Sequence, residues 1–304
     1  MTKPVTNFAA SVRARLLDVT QRRKGDFQLT LQRYAAERFL YRLGASLHRD
    51  RFVLKGAMLF ALWDEMTIRP TKDLDLAGYW ANDAASLAAS FREICSLPCP
   101  RDGLDFALDT LEVAPIRDAA EYHGFRLNLD VRLAGAIIPF QVDVGFGDAI
   151  VPDPIEVVYP VLLDAEAPHV RAYPREAVVA EKLHAMVSLA EANSRFKDFF
   201  DVHALSSRFA FTGQTLAAAI SATFSRRRSA TFSPWPVALA PGFYADRPRN
   251  AQWARYLQRS KLLEAPADFT RVGELITAFL DAPARAASNG ESFTSSWAPG
   301  GPWR

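Results

Sequence analysis

Apolar residues recur at helical spacing between positions 28 and 47, where Leu31, Tyr34, Ala35, Phe39 and Leu43 fall on one side and predict an amphipathic helix. The short apolar run Phe52-Val-Leu predicts a strand leading to Gly56, and Met58 to Glu65 a second helix that stops before Pro70. At Asp73-Leu-Asp-Leu76 the period becomes two, with leucines on one face and aspartates on the other. A helix over 83 to 95 follows. The two-residue period then returns in three successive runs beginning near Leu104, Phe125 and Ile137, which implies antiparallel pairing.

Beyond this region Pro152, Pro154, Pro160 and Pro168 predict a linker leaving the sheet. Pro174 then opens a helix with Val178, Val179, Leu183 and Met186 on one side. Further helices are expected at about 196 to 207, 213 to 224, 248 to 260 and 268 to 284. Ser225-Arg-Arg-Arg-Ser and the Pro/Trp-rich stretch 233 to 248 read as loops, and the Gly/Ser/Pro-rich tail after 286 as loose. The pattern describes an α/β (α+β) protein: a mixed sheet flanked by helices over 1–160, followed by a mainly helical domain over 161–304.

With 304 residues, 49% of them apolar, the chain can bury a full core. No apolar run approaches the roughly 20 residues that span a bilayer, and the first residues lack a signal-peptide core, so a cytoplasmic protein without a membrane partner is expected. A net charge of +2 does not mark a nucleic-acid binder, although three of only seven lysines, Lys55, Lys72 and Lys182, fall inside the segments that carry chemistry. Cys95 and Cys99 cannot complete a tetrahedral zinc site and read as reduced, structural thiols. His184 and His203 read as packing or capping residues.

Asp73 and Asp75, roughly 7 Å apart on one strand face, can share one or two hard cations. A lone Asp-x-Asp is more often a solvated pair, so further parts are needed. Asp143 is one: Phe140, Val142, Val144 and Phe146 take one face of its run, and Gln141 and Asp143 the other. If that strand lies beside the Asp73 strand, the three carboxylates have the composition of two-metal phosphoryl or nucleotidyl transfer. Asp130 alternates similarly and is the second choice for the third position. In the later helices Asp198 and Asp201 are three residues apart and share a face, Lys182 could reach triphosphate oxygens, and one of these aspartates could hold its ammonium.

These segments together resemble the AbiEii/AbiGii-type toxins of the DNA polymerase β-like nucleotidyltransferase superfamily. The resemblance runs over about residues 30 to 205 and rests on Arg51-Phe-Val-Leu-Lys-Gly-Ala-Met-Leu, Arg69-Pro-Thr-Lys-Asp-Leu-Asp-Leu, Gln141-Val-Asp-Val-Gly-Phe, Val179-Ala-Glu-Lys-Leu-His-Ala and Lys197-Asp-Phe-Phe-Asp-Val. It implies that Lys55, Gly56, Ala57, Thr71 and Lys182 bind nucleotide, that Asp73, Asp75 and Asp143 hold metal, and that Lys182, Asp198 and Asp201 complete the catalytic set. Ala57 stands where a second glycine or a serine is more usual, and Lys197 where an arginine is.

The resemblance further implies a Mg2+- or Mn2+-dependent enzyme that transfers NMP from an NTP to RNA, most plausibly the tRNA 3′ end, to block translation. It would be the toxin of a toxin–antitoxin or phage-defence pair, and its antitoxin would have a DNA-binding region. Arg226, Arg227 and Arg228 are candidate RNA contacts. Two alternatives stay open: transfer of a nucleotidyl or phosphoryl group to a protein or small molecule, and a nucleotide-binding partner protein without catalysis.

Overall fold

The computed structural model describes residues 7–63, 71–79, 83–116, 124–229, 235–262 and 265–304. Two compact units divide the chain, Met1–Gly147 with Ile155–Ala172, and Asp148–Pro154 with Tyr173–Arg304. No described helix is long and apolar enough to cross a membrane.

The first unit contains α1 (Phe8–Arg22), α2 (Phe27–Ala45), β1 (Phe52–Lys55), α3 (Phe60–Trp63), β2 (Asp73–Gly78), α4 (Ala84–Ser96), β3 (Asp105–Pro115), β4 (Gly124–Leu133), β5 (Ala136–Phe146), β6 (Ile155–Val158) and β7 (His169–Ala172). The strands form one mixed sheet in the order β3-β4-β5-β2-β1-β7-β6. β2 runs parallel to β5, and β1 parallel to β7, while the other neighbours are antiparallel. The β4–β5 hairpin closes through Ala134 and Gly135, both at positive φ, the backbone that a two-residue turn needs to match strand twist.

The core lies on one face of this sheet. Phe39 of α2 stacks on Phe91 of α4 at 5.1 Å between ring centres and meets Phe140 of β5 at 5.5 Å, locking both helices onto the leucine and valine side of the strands. Opposite, Arg126, Asn128, Gln141, Asp143, Asp73 and Asp75 are half-buried or exposed. This one-sided alternation leaves an open face for chemistry.

The second unit contains α5 (Arg175–Leu189), α6 (Phe196–Arg208), β8 (Phe211–Thr212), α7 (Gly213–Arg226), α8 (Pro241–Ala245), α9 (Arg247–Ser260), α10 (Phe269–Asn289) and β9 (Ser296–Trp297). α10 packs against α6, α7, α8 and α9. Phe269 at its start lies 5.2 Å from Trp253 of α9, 5.4 Å from Phe199 of α6 and 5.2 Å from Tyr244 of α8, ring centre to ring centre.

Several sequence expectations change. α1 was not anticipated, because its buried side is only Val12, Leu16 and Thr20, too thin a stripe to stand out. The proline-rich linker instead supplies β6 and β7, and β7 joins the sheet through Leu54↔Ala172. Four-residue strands set between prolines leave too few positions for alternation to register. The helix expected from Met58 begins as a 3-10 turn over Gly56–Leu59, and its end, with Arg69 and Pro70, lies outside the described residues. Within the loop expected over 233 to 248, α8 forms and buries Phe243 and Tyr244. The tail is anchored: the Trp297 indole donates to Ser206 O at 2.7 Å, and the Trp303 indole donates to Phe279 O at 3.0 Å. Two tryptophans outweigh the glycines and serines around them.

Candidate active site

β2 and β5 are neighbours, and their parallel register pairs Asp73 with Gln141 and Asp75 with Asp143. Since Leu74, Leu76, Val142 and Val144 are buried, the three aspartates share the opposite face. Asp130 pairs with Pro139 instead, so Asp143 and not Asp130 is the carboxylate beside Asp75. On the other side of β2, Lys55 pairs with Asp75. One cross-strand row therefore reads Lys55, Asp75, Asp143, Arg126, two carboxylates flanked by two cations.

Gly56 follows β1 at φ +74°, a backbone that favours glycine. A Cβ there would sit 1.9 Å from Asp75 Oδ2, so any larger residue would displace the carboxylate. Ala57, next in the chain, is buried. The Thr71 hydroxyl brackets the start of β2, donating to Asp73 O at 3.2 Å and accepting from Asp73 N at 3.4 Å.

Asp143 is held by Arg126, whose Nε donates to Oδ1 at 2.8 Å and whose Nη2 donates to Oδ2 at 2.7 Å. Gln141 Nε2 adds a third donor at 3.2 Å. Arg126 is a partner of Asp143 that sequence reasoning missed. Alternation along Phe125-Arg-Leu-Asn-Leu-Asp places it on the open face, but only the β4–β5 register puts it opposite Asp143. Among the described residues no three His, Cys, Asp or Glu side chains converge as a ready metal cage.

In the second unit, Lys182 of α5 points its ammonium at α6, 3.2 Å from Asp198 Oδ1 and 2.5 Å from Asp201 Oδ2. Arg195 Nε approaches Asp198 Oδ2 at 2.8 Å. Both aspartates are buried. Burial pushes the Asp198 carboxyl up, but the Lys182, Arg195 and Lys197 charges outweigh it and hold the group below the usual carboxylate range.

Arg227 is committed inside this unit, 3.5 Å from Asp148 Oδ1 and 3.7 Å from Glu181 Oε1, and it donates to His184 Nδ1 at 3.1 Å. It is thus an internal tie and not a surface RNA contact; Arg226 and Arg228 beside it are exposed. Burial and the Arg227 charge push His184 down to about 4, which suits a packing role. The cysteines are free, and burial pushes the Cys99 thiol up to about 11.

A family model described as "Nucleotidyl transferase AbiEii toxin, Type IV TA system" matches residues 38–277. No curated protein matches the chain. Two crystal structures from Helicobacter pylori are similar. JHP933 is 13% identical with a TM-score of 0.49, covering 86% of this chain and 97% of that one. A protein described as a proposed nucleotidyltransferase is 13% identical with a TM-score of 0.43, covering 84% of this chain and 93% of that one.

Proposed function

This chain belongs to the AbiEii nucleotidyltransferase toxin family of type IV toxin–antitoxin systems, and from that premise we propose that it transfers NMP from an NTP to the 3′ end of tRNA and so blocks translation. The observation that carries this reading is the β2–β5 register, which gathers Asp73, Asp75 and Asp143 on one open face beside the left-handed Gly56.

The donor set suits Mg2+ or Mn2+, because carboxylate oxygens are hard ligands, and Gly56 leaves room for the Asp75 carboxylate where a Cβ would collide with it. Asp73 and Asp75 would hold the ion, with Asp143 joining them on release from Arg126. When bound, such an ion lowers the pKa of the attacking hydroxyl and neutralises the leaving pyrophosphate. Asp143 takes the hydroxyl proton while the acceptor oxygen bonds to the α-phosphorus and the bond to pyrophosphate breaks. Lys55, Thr71 and the backbone at Gly56 and Ala57 hold the nucleotide. Lys182 meets triphosphate charge, and Asp198 and Asp201, being buried, act by positioning that ammonium.

A polyanionic acceptor is supported by α9. Arg247, Arg255, Arg259 and the following Lys261 are exposed and have no carboxylate partner among the described residues. The three arginines lie within one solvent-facing arc opposite buried Trp253 and Leu257, spread over about 18 Å of helix. The family implies an antitoxin partner, for which we propose a DNA-binding region of its own, and phage defence is the proposed role of the pair.

The test incubates purified protein with each labelled NTP, magnesium, and total tRNA or total protein, beside Asp73→Ala. Label in tRNA that disappears with the variant supports the reading. Label in protein moves the acceptor to another class, and nucleotide binding without any label would sink transfer altogether.

A further inference from the structure

An open cavity of about 750 Å³ lies on the surface of the first unit, and Asp73 forms part of its wall. From Asp73 the sheet register continues through Gln141 and Asn128 to Glu112, one side chain per strand across β2, β5, β4 and β3. At about 4.8 Å per strand, that row extends roughly 14 Å from the aspartate. The ladder between β3 and β4 is irregular between Ala107 and Glu112, where Thr110 accepts from Asp130 N at 2.9 Å and lines the far wall.

The charge of this cavity excludes phosphate. Asp26, Asp73, Glu112 and Asp130 line it, with Lys72 as the single cation among the described lining residues. A triphosphate placed there would meet four carboxylates, each lacking a metal unless it lies at Asp73. The lining is instead rich in amides: Gln28, Gln32, Asn128 and Gln141. Gln32 is only 9% exposed; its Nε2 donates to Pro139 O at 3.4 Å, and its Oε1 has no partner. A buried amide oxygen left without a donor is costly, so a ligand that supplies an N–H gains by binding.

We propose that this cavity is the acceptor subsite and takes the terminal nucleoside of the RNA, its ribose hydroxyl toward Asp73 and its base along the amide row. The proposal rests on the reading that the acceptor is RNA. A nucleoside is neutral, presents hydrogen-bonding edges that amides can read, and carries the hydroxyl that must reach the metal carboxylates. Gln32 Oε1 can accept an N–H that each of the four bases carries, so it reads the presence of a base and not its identity. The donor's triphosphate then lies away from the cavity, toward Lys55 and Gly56, and the two substrates meet at Asp73 and Asp75.

The test measures NMP transfer by the full chain to short synthetic RNAs that differ only in ending with A, C, G or U, using wild type, Asn128→Ala and Gln32→Leu. Urea unfolding confirms that each variant is folded. Asn128→Ala and Gln32→Leu are each expected to raise the KM for RNA about tenfold with the NTP KM unchanged, whichever base ends the RNA. The subsite assignment is overturned if wild type labels RNA while both variants keep its acceptor KM, or if they raise the NTP KM instead. Failure of wild type to label any RNA overturns the RNA reading, and this assignment with it.

Discussion

The two units carry their carboxylates in opposite states. On the first, Asp73, Asp75 and Asp143 stand on an open strand face, partly exposed. On the second, Asp198 and Asp201 are sealed in and already neutralised by Lys182 and Arg195. On the open face Asp143 is already held by Arg126 and Asp75 lies across from Lys55, yet these carboxylates stay half-exposed, within reach of a cation from solvent. A sealed ion cluster has its partners built in, and its value lies in fixing an ammonium in place. The same residue type therefore stands half-exposed on a strand face in one unit and sealed between two helices in the other, and the proposed roles of ligand and support follow that difference in burial.

The largest effect that would break this comparison is on activity. Asp75→Asn is expected to lower kcat about a thousandfold, since charge stabilisation by a bound ion is worth several kcal/mol, while unfolding free energy moves by less than about 1 kcal/mol. Steady-state transfer assays and urea titration check the two halves; a large stability loss would mean that the open face is structural. Asp201→Ala should do the reverse first, costing about 3–5 kcal/mol of stability because it removes a fully buried carboxylate that is one of the two holding half-buried Lys182. A variant of native stability in urea would contradict that.

A third buried acid sharpens the rule. Glu37 of α2 is as buried as Asp198, accepting from Leu162 N at 2.9 Å and Arg33 Nε at 3.1 Å. There burial outweighs the Arg33 charge and pushes the carboxyl up to about 7. Its contribution is full below the ordinary carboxylate value and is lost as pH rises toward 7, up to on the order of 3 kcal/mol. Asp198, shifted down, contributes above the ordinary value and loses that contribution as pH falls through its lower folded pKa. Stability measured from about pH 2 to 8 should thus flatten on the alkaline side in Glu37→Gln and on the acid side, below the ordinary carboxylate value, in Asp198→Asn. Parallel profiles would show that the cations around Asp198 do not decide its state.

The smallest expected effect is at Gly56. Gly56→Ala should cost about 1–2 kcal/mol for the left-handed backbone, with a further drop in kcat as the new methyl displaces the Asp75 carboxylate. Unchanged transfer would separate that turn from the metal face.

Much of the fold was legible because its period was long. Nineteen-residue α2 and the eleven-residue β3 and β5 repeat their pattern often enough to be read from side chains alone. α1, β6 and β7 were not, since three buried residues or four strand positions do not make a period. Among the candidate residues, Asp73 and Asp75 in the first unit and Asp198 and Asp201 in the second stood out through local spacing. Arg126 and the amides of the cavity did not, because nothing near them in the chain tells which strand they face.

The sequence by itself determined the alternation that separates leucines from aspartates on β2, the helical spacing that aligns Asp198 with Asp201, and the family pattern joining them. Tertiary structure alone decided that β5 lies parallel beside β2 with Asp143 opposite Asp75, that Arg126 occupies the third carboxylate, and that an acidic, amide-lined cavity opens at Asp73. Local spacing reports which way a side chain points. Strand register, which reports what it meets, is settled by the packing of residues far apart in the chain.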